Sequence, residues 1–330
     1  MGGVRVFGRD EVIAALDMPS LIDAMGRAFT AYSLGGAELP AVIHLEVPER
    51  HGEVHVKAGY LHGGPHFAVK VASGFPDNAS LGLPTADGIV VVFGAESGDP
   101  VAILLDGGHL TDARTGAAGG VAARHLAPEA PRGIGVVGTG IQARFQIEAL
   151  AHVRQFEEVR IWGRDEGRSN RCVEDVRAMS VLPSGCEVRA VLSAREAVDG
   201  ADVVITATAS RAPLVKAEWV ARGAHITAVG SDGPDKQELD TEVLARADLV
   251  VADSLAQCVR IGEIHHAVAA GMLREEGVVE LGVITADRHP GLTGRDSLTV
   301  CDLTGVGVQD IAAATLVMER AGDRGRWIDL

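Results

Sequence analysis

Aromatic residues are scarce in this chain: Trp, Tyr and Phe together make up 4% of its 330 residues. An interior with so few rings must be aliphatic, with Ala and Gly at close contacts, and 41 glycines within a 47% hydrophobic composition supply the material. Positive charge is also short. Lys and Arg number 30 against 45 Asp and Glu, a formal net charge of -15, which excludes a surface made for nucleic-acid phosphates or anionic membranes. No apolar run approaches the roughly 20 residues of a membrane span. The opening MGGVRVFGRD lacks the hydrophobic segment of a signal peptide, so a cytoplasmic location is expected. Cys172, Cys186, Cys258 and Cys301 form no Cys-x-x-Cys pair and have no histidine at zinc-finger spacing, which leaves them as reduced thiols. Repeats, low-complexity tracts and long linkers are missing too, and a chain of this length reads as two domains.

What is present is organised around residues 132–144, RGIGVVGTGIQAR. Ile134, Val136 and Val137 read as a short buried strand, and Gly138, Gly140 and Ala143 then give Gly-x-Gly-x-x-Ala at the start of a helix over 141–153. Gly138 permits a tight turn, Gly140 lets a pyrophosphate approach the backbone, and Ala143 lets the helix pack close to the strand. Thr139, Ile141 and Gln142 complete this dinucleotide-binding set, with the anion at the helix N-terminus. Glycine turns also occur in α/β domains that bind no nucleotide; the second strand over 159–162, which closes a βαβ unit, raises this one above them. At that strand's end, Arg164 with Arg168 a turn later suits the 2'-phosphate of NADP, whereas Asp165 would take the ribose of NAD. NADP is expected ahead of NAD.

Further strands over 187–190, 203–206, 225–229 and 249–251 make residues 126–300 a Rossmann-type, doubly wound parallel sheet of the α/β class. Cofactors bind beyond the carboxyl ends of such strands, and Thr206 at one of them joins the cofactor candidates. Residues 1–125 differ: two helices, capped from Asp10 and opened by Pro19, lead into alternating runs over 41–47, 53–60, 66–73, 88–94 and 101–105 and then an Ala-rich helix over 111–125. This predicts an α+β domain with a mostly antiparallel sheet. Residues 301–330 read as a C-terminal helix returning to that first domain.

Candidate chemistry follows from the same pattern. His44, His51, His55, His62 and His66 crowd one region, but i, i+4 spacing converges on a metal only along a helix, and this segment alternates like strands; no metal site is expected. Lys57 and Lys70 lie on opposing runs, and a hairpin through 61–65 offers a register that sets them across from each other. Two such ammonium groups would lower each other's pKa or clamp an anion, or else line a solvated face. Arg114 in an apolar helix suggests a carboxylate or phosphate partner, or an internal salt bridge. Asn78, Gly82, Leu83, Pro84 and Thr85 form a turn that could reach the cofactor. Asp232 directly follows a strand, placed for proton transfer or serving as an ordinary turn residue.

Taken together, Val69-Lys70-Val71, Asn78, Gly82-Leu83-Pro84-Thr85, Leu110-Thr111 with Arg114-Thr115, Gly138-Thr139-Gly140-Ile141-Gln142-Ala143, Gly230-Ser231-Asp232-Gly233-Pro234, Glu238-Leu239 and Gln309-Asp310 make the chain resemble the ornithine cyclodeaminase and mu-crystallin family along nearly its whole length. The resemblance implies a homodimer whose substrate and dimerisation domain is built from both chain ends, and NAD(P)-dependent chemistry at the α-carbon of an amino or imino acid. By position, Lys70 is similar to the family lysine at the substrate carboxylate and reacting nitrogen, Arg114 to the carboxylate arginine, Thr85 to the residue near the nicotinamide and Asp232 to the proton-moving acid. Many members carry an arginine two residues after a proline, where this chain has Pro40, Ala41 and Val42. The clamp is incomplete unless Lys57 substitutes.

These expectations describe an amino acid dehydrogenase or imine reductase, with Lys70 and Asp232 catalytic and Lys57, Arg114 and Asn78 on the substrate. A cyclodeaminase using its cofactor without net turnover is the alternative, and an NADPH and small-ligand binding protein a third reading. The substrate's side chain is not encoded in any of these motifs.

Overall fold

The computed structural model describes residues 3–292, 294 and 296–329. Contacts divide the chain into two compact units, Met1–Arg114 with Val306–Leu330, and Thr115–Gly305. The first division falls inside the helix His109–Leu126, ahead of the expected 125, and its cause is local. Arg114 pairs with the C-terminal helix of the first unit. One turn on, Gly116 and Gly119 belong to the second unit, where an added Cβ would come within 2.7 Å of Phe145 and 1.7 Å of Gln146.

The first unit is an eight-stranded sheet in the order Arg326–Asp329, Gly3–Gly8, Pro100–Leu105, Ala86–Gly94, His66–Gly74, Gly52–Leu61, with Ala37–Glu38 and Ile43–Val47 both pairing with Gly52–Leu61 at the far side. All its pairings are antiparallel except that of Gly3–Gly8 with Pro100–Leu105. The edge strand Arg326–Asp329 and its neighbour Gly3–Gly8, one from each chain end, do not stand out as strands in the sequence. Helices Arg9–Ala15, Met18–Ser33 and Gly307–Arg320 cover one face. The first is capped at Gly8 rather than Asp10, while Asp17 caps the second by accepting from the Ser20 amide at 2.9 Å. Gly59 and Gly307 bring the C-terminal helix against the sheet: a Cβ on Gly59 would lie 2.7 Å from Ile311, and one on Gly307 3.1 Å from the Ala58 carbonyl.

The second unit is an eight-stranded, wholly parallel sheet in the order Glu187–Ala190, Glu158–Trp162, Gly133–Val137, Val203–Thr206, His225–Ala228, Thr299–Asp302, Leu249–Ala252, Val278–Glu280. The doubly wound order reverses at Gly133–Val137, the strand that feeds the glycine turn. Thr299–Asp302 corrects the expected boundary at 300. Last of the eight in sequence, it inserts between two earlier strands and belongs wholly to this sheet. A two-stranded ribbon of Arg211–Val215 and Gln237–Leu239 completes the unit. Among the described residues no helix is long and apolar enough to cross a membrane.

Candidate functional site

In the first unit, the hairpin takes the register that sets Lys57 across from Lys70, one of those the alternating pattern allows. Alternation then turns Lys70 toward the helix layer. Its Nζ donates to Asp310 Oδ1 at 2.8 Å, and Arg114 Nε donates to the same oxygen at 3.0 Å. Arg114 Nη1 also donates to Gln309 Oε1 at 3.0 Å, and that oxygen accepts from the Val306 amide at 2.7 Å. All of these side chains are buried, with Lys70, Arg114 and Asp310 exposed by 4%, 4% and 3%. Asp310 Oδ2 is buried and has no hydrogen-bond partner among the described residues. The internal salt bridge weighed for Arg114 therefore exists, with a partner that sequence spacing did not indicate.

Electrostatics sharpen this cluster. Burial brings the Lys70 ammonium down to about 7, helped by the charges of Arg114 and Lys57 and opposed by Asp310. Asp310 is shifted the other way: burial would raise it, but Lys70, Arg114 and Lys57 outweigh burial and hold it low. At neutral pH the lysine is poised between ammonium and amine beside a firmly ionised carboxylate. Asn78 and Thr85 sit apart from this network in an exposed turn: the Asn78 side chain donates to the Pro84 carbonyl at 2.9 Å, and the Thr85 carbonyl accepts from the Phe75 amide at 2.8 Å.

In the second unit, the glycine turn has the features of a dinucleotide cradle. Gly138 holds φ +132, and a Cβ there would lie 2.4 Å from the Ala207 carbonyl, so protein packing alone demands glycine. Gly140 is different. A Cβ there would meet no protein atom within 4 Å, and its backbone is ordinary extended chain, so nothing in the chain itself requires glycine and the turn is open to a close approach from outside. The helix it opens, Ile141–Val153, has no side-chain cap. Its first amides are left for an anion, and these observations fit a dinucleotide phosphate. Thr139 and Gln142 flank the turn half-buried, Ile141 is 51% exposed beside it, and Ala143 is buried under the helix. Arg144, not singled out in the sequence, donates from Nη1 to the Thr139 and Gly140 carbonyls at 2.9 Å each and braces the turn.

Around the ribose-reading position, Asp165 is occupied. It caps the next helix, accepting from the Arg168 amide at 2.7 Å, while the Arg164 and Arg168 side chains stand exposed. Gly163 is explained by Thr139, whose Cγ2 would lie 2.6 Å from a Cβ there. Thr206 corrects an expectation: in the middle of the sheet between Gly133–Val137 and His225–Ala228, it is fully buried and offers no surface to a ligand.

Asp232 lies in an exposed turn and accepts from Lys236 Nζ at 2.5 Å. The turn is anchored from behind by acids the sequence did not flag as such. Glu238 accepts from the amides of Thr208 at 2.5 Å and Gly230 at 2.9 Å, tying together the loops after two neighbouring strands. Glu263 accepts from the Glu238 and Leu239 amides at 2.7 and 3.0 Å, and Asp302 Oδ2 from the Ile264 amide at 2.9 Å. Burial raises Glu238 to about 7 and Glu263 to about 8, and lifts Asp302 well above the carboxylate range.

Comparison with known proteins agrees with this layout. The model of the ornithine cyclodeaminase/mu-crystallin family matches residues 5–325. An uncharacterised cyclodeaminase of Sinorhizobium fredii is 43% identical over 90% of this chain and 89% of its own length. Among solved structures, an archaeal alanine dehydrogenase dimer with bound NAD aligns with a TM-score of 0.91 at 34% identity, covering 99% of both chains. The Δ1-pyrroline-2-carboxylate reductase of Thermococcus litoralis, in complex with NADH and L-proline, aligns with a TM-score of 0.92 at 30% identity, covering 99% of this chain and 100% of its own. On the family match and on these relatives, the chain belongs to the ornithine cyclodeaminase/mu-crystallin family.

Proposed function

We propose that this chain is an NAD(P)(H)-dependent oxidoreductase acting at the α-carbon of an amino or imino acid. The observation that carries the reading is the buried Lys70–Asp310–Arg114 cluster, in which two cations share one carboxylate oxygen and the lysine sits near 7. Arg114 and Lys70 bind the substrate carboxylate, and Lys70 is close enough to neutrality to donate a proton to an imine nitrogen or take one from an amine. In the reductive direction the α-carbon gains a hydride and the nitrogen a proton. A bound nicotinamide supplies that hydride or takes it up. Asp232, oriented by Lys236, is the second proton-moving group, and Asn78 shapes the turn that borders the substrate.

Lys57 completes the clamp. Lys57 lies one residue beyond the last registered pair of its strand with Ile43–Val47, Ile43 with Val56, which supports its standing in for the arginine that many family members carry near Val42. Residues 138–143 hold the dinucleotide, the family resemblance gives Thr85 its nicotinamide role, and the exposed Arg164 and Arg168 favour NADP over NAD because the nearby Asp165 is committed to its helix cap. A homodimer is supported by the sheet face away from the helices, where Ile43, Leu45, Ile89 and Leu105 are exposed by 62%, 53%, 38% and 48%. A monomer rarely leaves so many large aliphatic side chains on one sheet face.

A cyclodeaminase is the second reading, favoured by the name of the Sinorhizobium relative and by a neutral-range lysine beside the reacting nitrogen. One experiment separates them. Nicotinamide absorbance is followed with NADP or NAD and a panel of amino acids, then with NADPH or NADH and cyclic imines or keto acids plus ammonia. A stoichiometric absorbance change establishes the oxidoreductase; ammonia released from a diamino acid without net change establishes the lyase.

A further inference from the structure

The histidines that do not converge along the chain converge across it. Strand Ile43–Val47 pairs antiparallel with Gly52–Leu61 so that His44 stands directly opposite His55, and their rings stack with centroids 4.6 Å apart. Glu53, two residues before His55, points to the same face. Its Oε2 lies 3.7 Å from His44 Nε2 and 3.5 Å from His55 Nε2. One donor atom from each of the three lies within 4.8 Å of the other two.

These separations are long for hydrogen bonds and close to a coordination polyhedron. Nitrogen and oxygen ligands about 2.0–2.2 Å from a tetrahedral zinc stand roughly 3.3–3.5 Å apart. We propose that His44, His55 and Glu53 form a binding site for a divalent transition-metal ion, with zinc the best match to two imidazoles and one carboxylate. The rings are parallel within 7°, so one imidazole turns about its Cβ–Cγ bond to aim both lone pairs at a common ion. The side chains are 46%, 34% and 49% exposed, which leaves them free to make that turn and leaves a further coordination position open to water. Glu46, paired with Glu53, adds negative charge on the same face. The ion would have a mechanical effect. Ile43–Val47 pairs with one strand only, at the border of the sheet, and a metal shared between His44 and His55 pins it there.

The test uses the full, tag-free chain stripped with a chelator and titrated with Zn2+ alone, and with Co2+ as a spectroscopic probe. One equivalent of Zn2+ is expected to bind, Co2+ to give visible d–d absorption, and the backbone amides of residues 43–47 to gain protection from hydrogen exchange. A double variant, His44→Asn with His55→Asn, is expected to weaken Zn2+ binding by at least about a hundredfold while keeping the circular dichroism and thermal melt of the metal-free wild type as the sign of an intact fold. Wild-type affinity no tighter than that of the double variant, or protection gained elsewhere but not at 43–47, overturns the proposal. Neither outcome depends on the oxidoreductase reading.

Discussion

Each unit buries a group of ionisable side chains, and the two solve the problem in opposite ways. In the first, Lys70 and Arg114 converge on one oxygen of Asp310, and charge is kept by pairing it. In the second, Glu238, Glu263 and Asp302 have no buried cation among their hydrogen-bond partners in the described residues; backbone amides fill both oxygens of Glu238 and Glu263 and one of Asp302, and burial drives all three toward the protonated form. Paired charge is responsive, because an incoming anion can compete for the cations. Neutralised acid is scaffolding, fixing the turns around Thr208 and Gly230 whatever ligand arrives. On the proposed function, the difference separates the group that does chemistry from the group that holds loops.

Substitutions that remove charge but keep shape break this comparison most sharply. Asp310→Asn leaves two buried cations without their carboxylate and is expected to cost about 3–5 kcal/mol in denaturant unfolding. Burial favours the protonated form of Asp302, so Asp302→Asn, a near isostere, is expected to cost less than Asp310→Asn. Equal costs would mean that both groups are held by the same means.

Next in size is the separation of the two glycines. Gly140→Ala adds a Cβ that meets no protein atom, so stability should hold or rise by up to about 1 kcal/mol while dinucleotide affinity falls by about tenfold or more. Gly138→Ala, at φ +132 and against the Ala207 carbonyl, should lose stability as well. Calorimetric binding and thermal melts on the same preparations read both quantities. Arg164→Asp should move cofactor preference from NADP toward NAD by roughly tenfold; an unchanged ratio places ribose reading elsewhere.

The smallest effect is in the pH dependence of stability, and its sign differs between the units. Glu238 and Glu263 are raised in the folded state, so their contribution is complete below the ordinary carboxylate pKa and is lost as pH rises through about 7 to 8. Lys70 is lowered, so the unfolded chain binds the extra proton between about 7 and the ordinary lysine value, and stability rises with pH over that window. The acids therefore oppose His225, which burial lowers to about 3 and which makes stability rise with pH up to the ordinary histidine value, and Glu263→Gln should make the unfolding free energy rise more, or fall less, than the wild type's from mildly acid to neutral pH.

Much of this was legible in the sequence where the signal is local. The helix Ile141–Val153 and the strands Glu187–Ala190 and Val203–Thr206 follow from periodicity and turn chemistry, and alternation alone suggested that Lys57 faces Lys70. What stayed hidden is non-local. Thr299–Asp302 reads as a short apolar run, and nothing in four residues tells that it inserts into the middle of a sheet. Asp310 lies 240 residues from Lys70, so a helix carboxylate gave no sign of its partners. His44 and His55 looked unrelated because spacing along one strand says nothing of pairing across two.

The responsive character of the first cluster is tested most directly by the pH dependence of kcat/KM, which reports ionisations of the free enzyme. The wild type should show a limb near pH 7 that disappears, with most of the activity, in Lys70→Arg, whose guanidinium does not titrate, and that stays in place in Asp302→Asn. A profile flat from about pH 6 to 9, or a limb unmoved by the change at Lys70, would contradict the assignment of acid–base chemistry to that lysine.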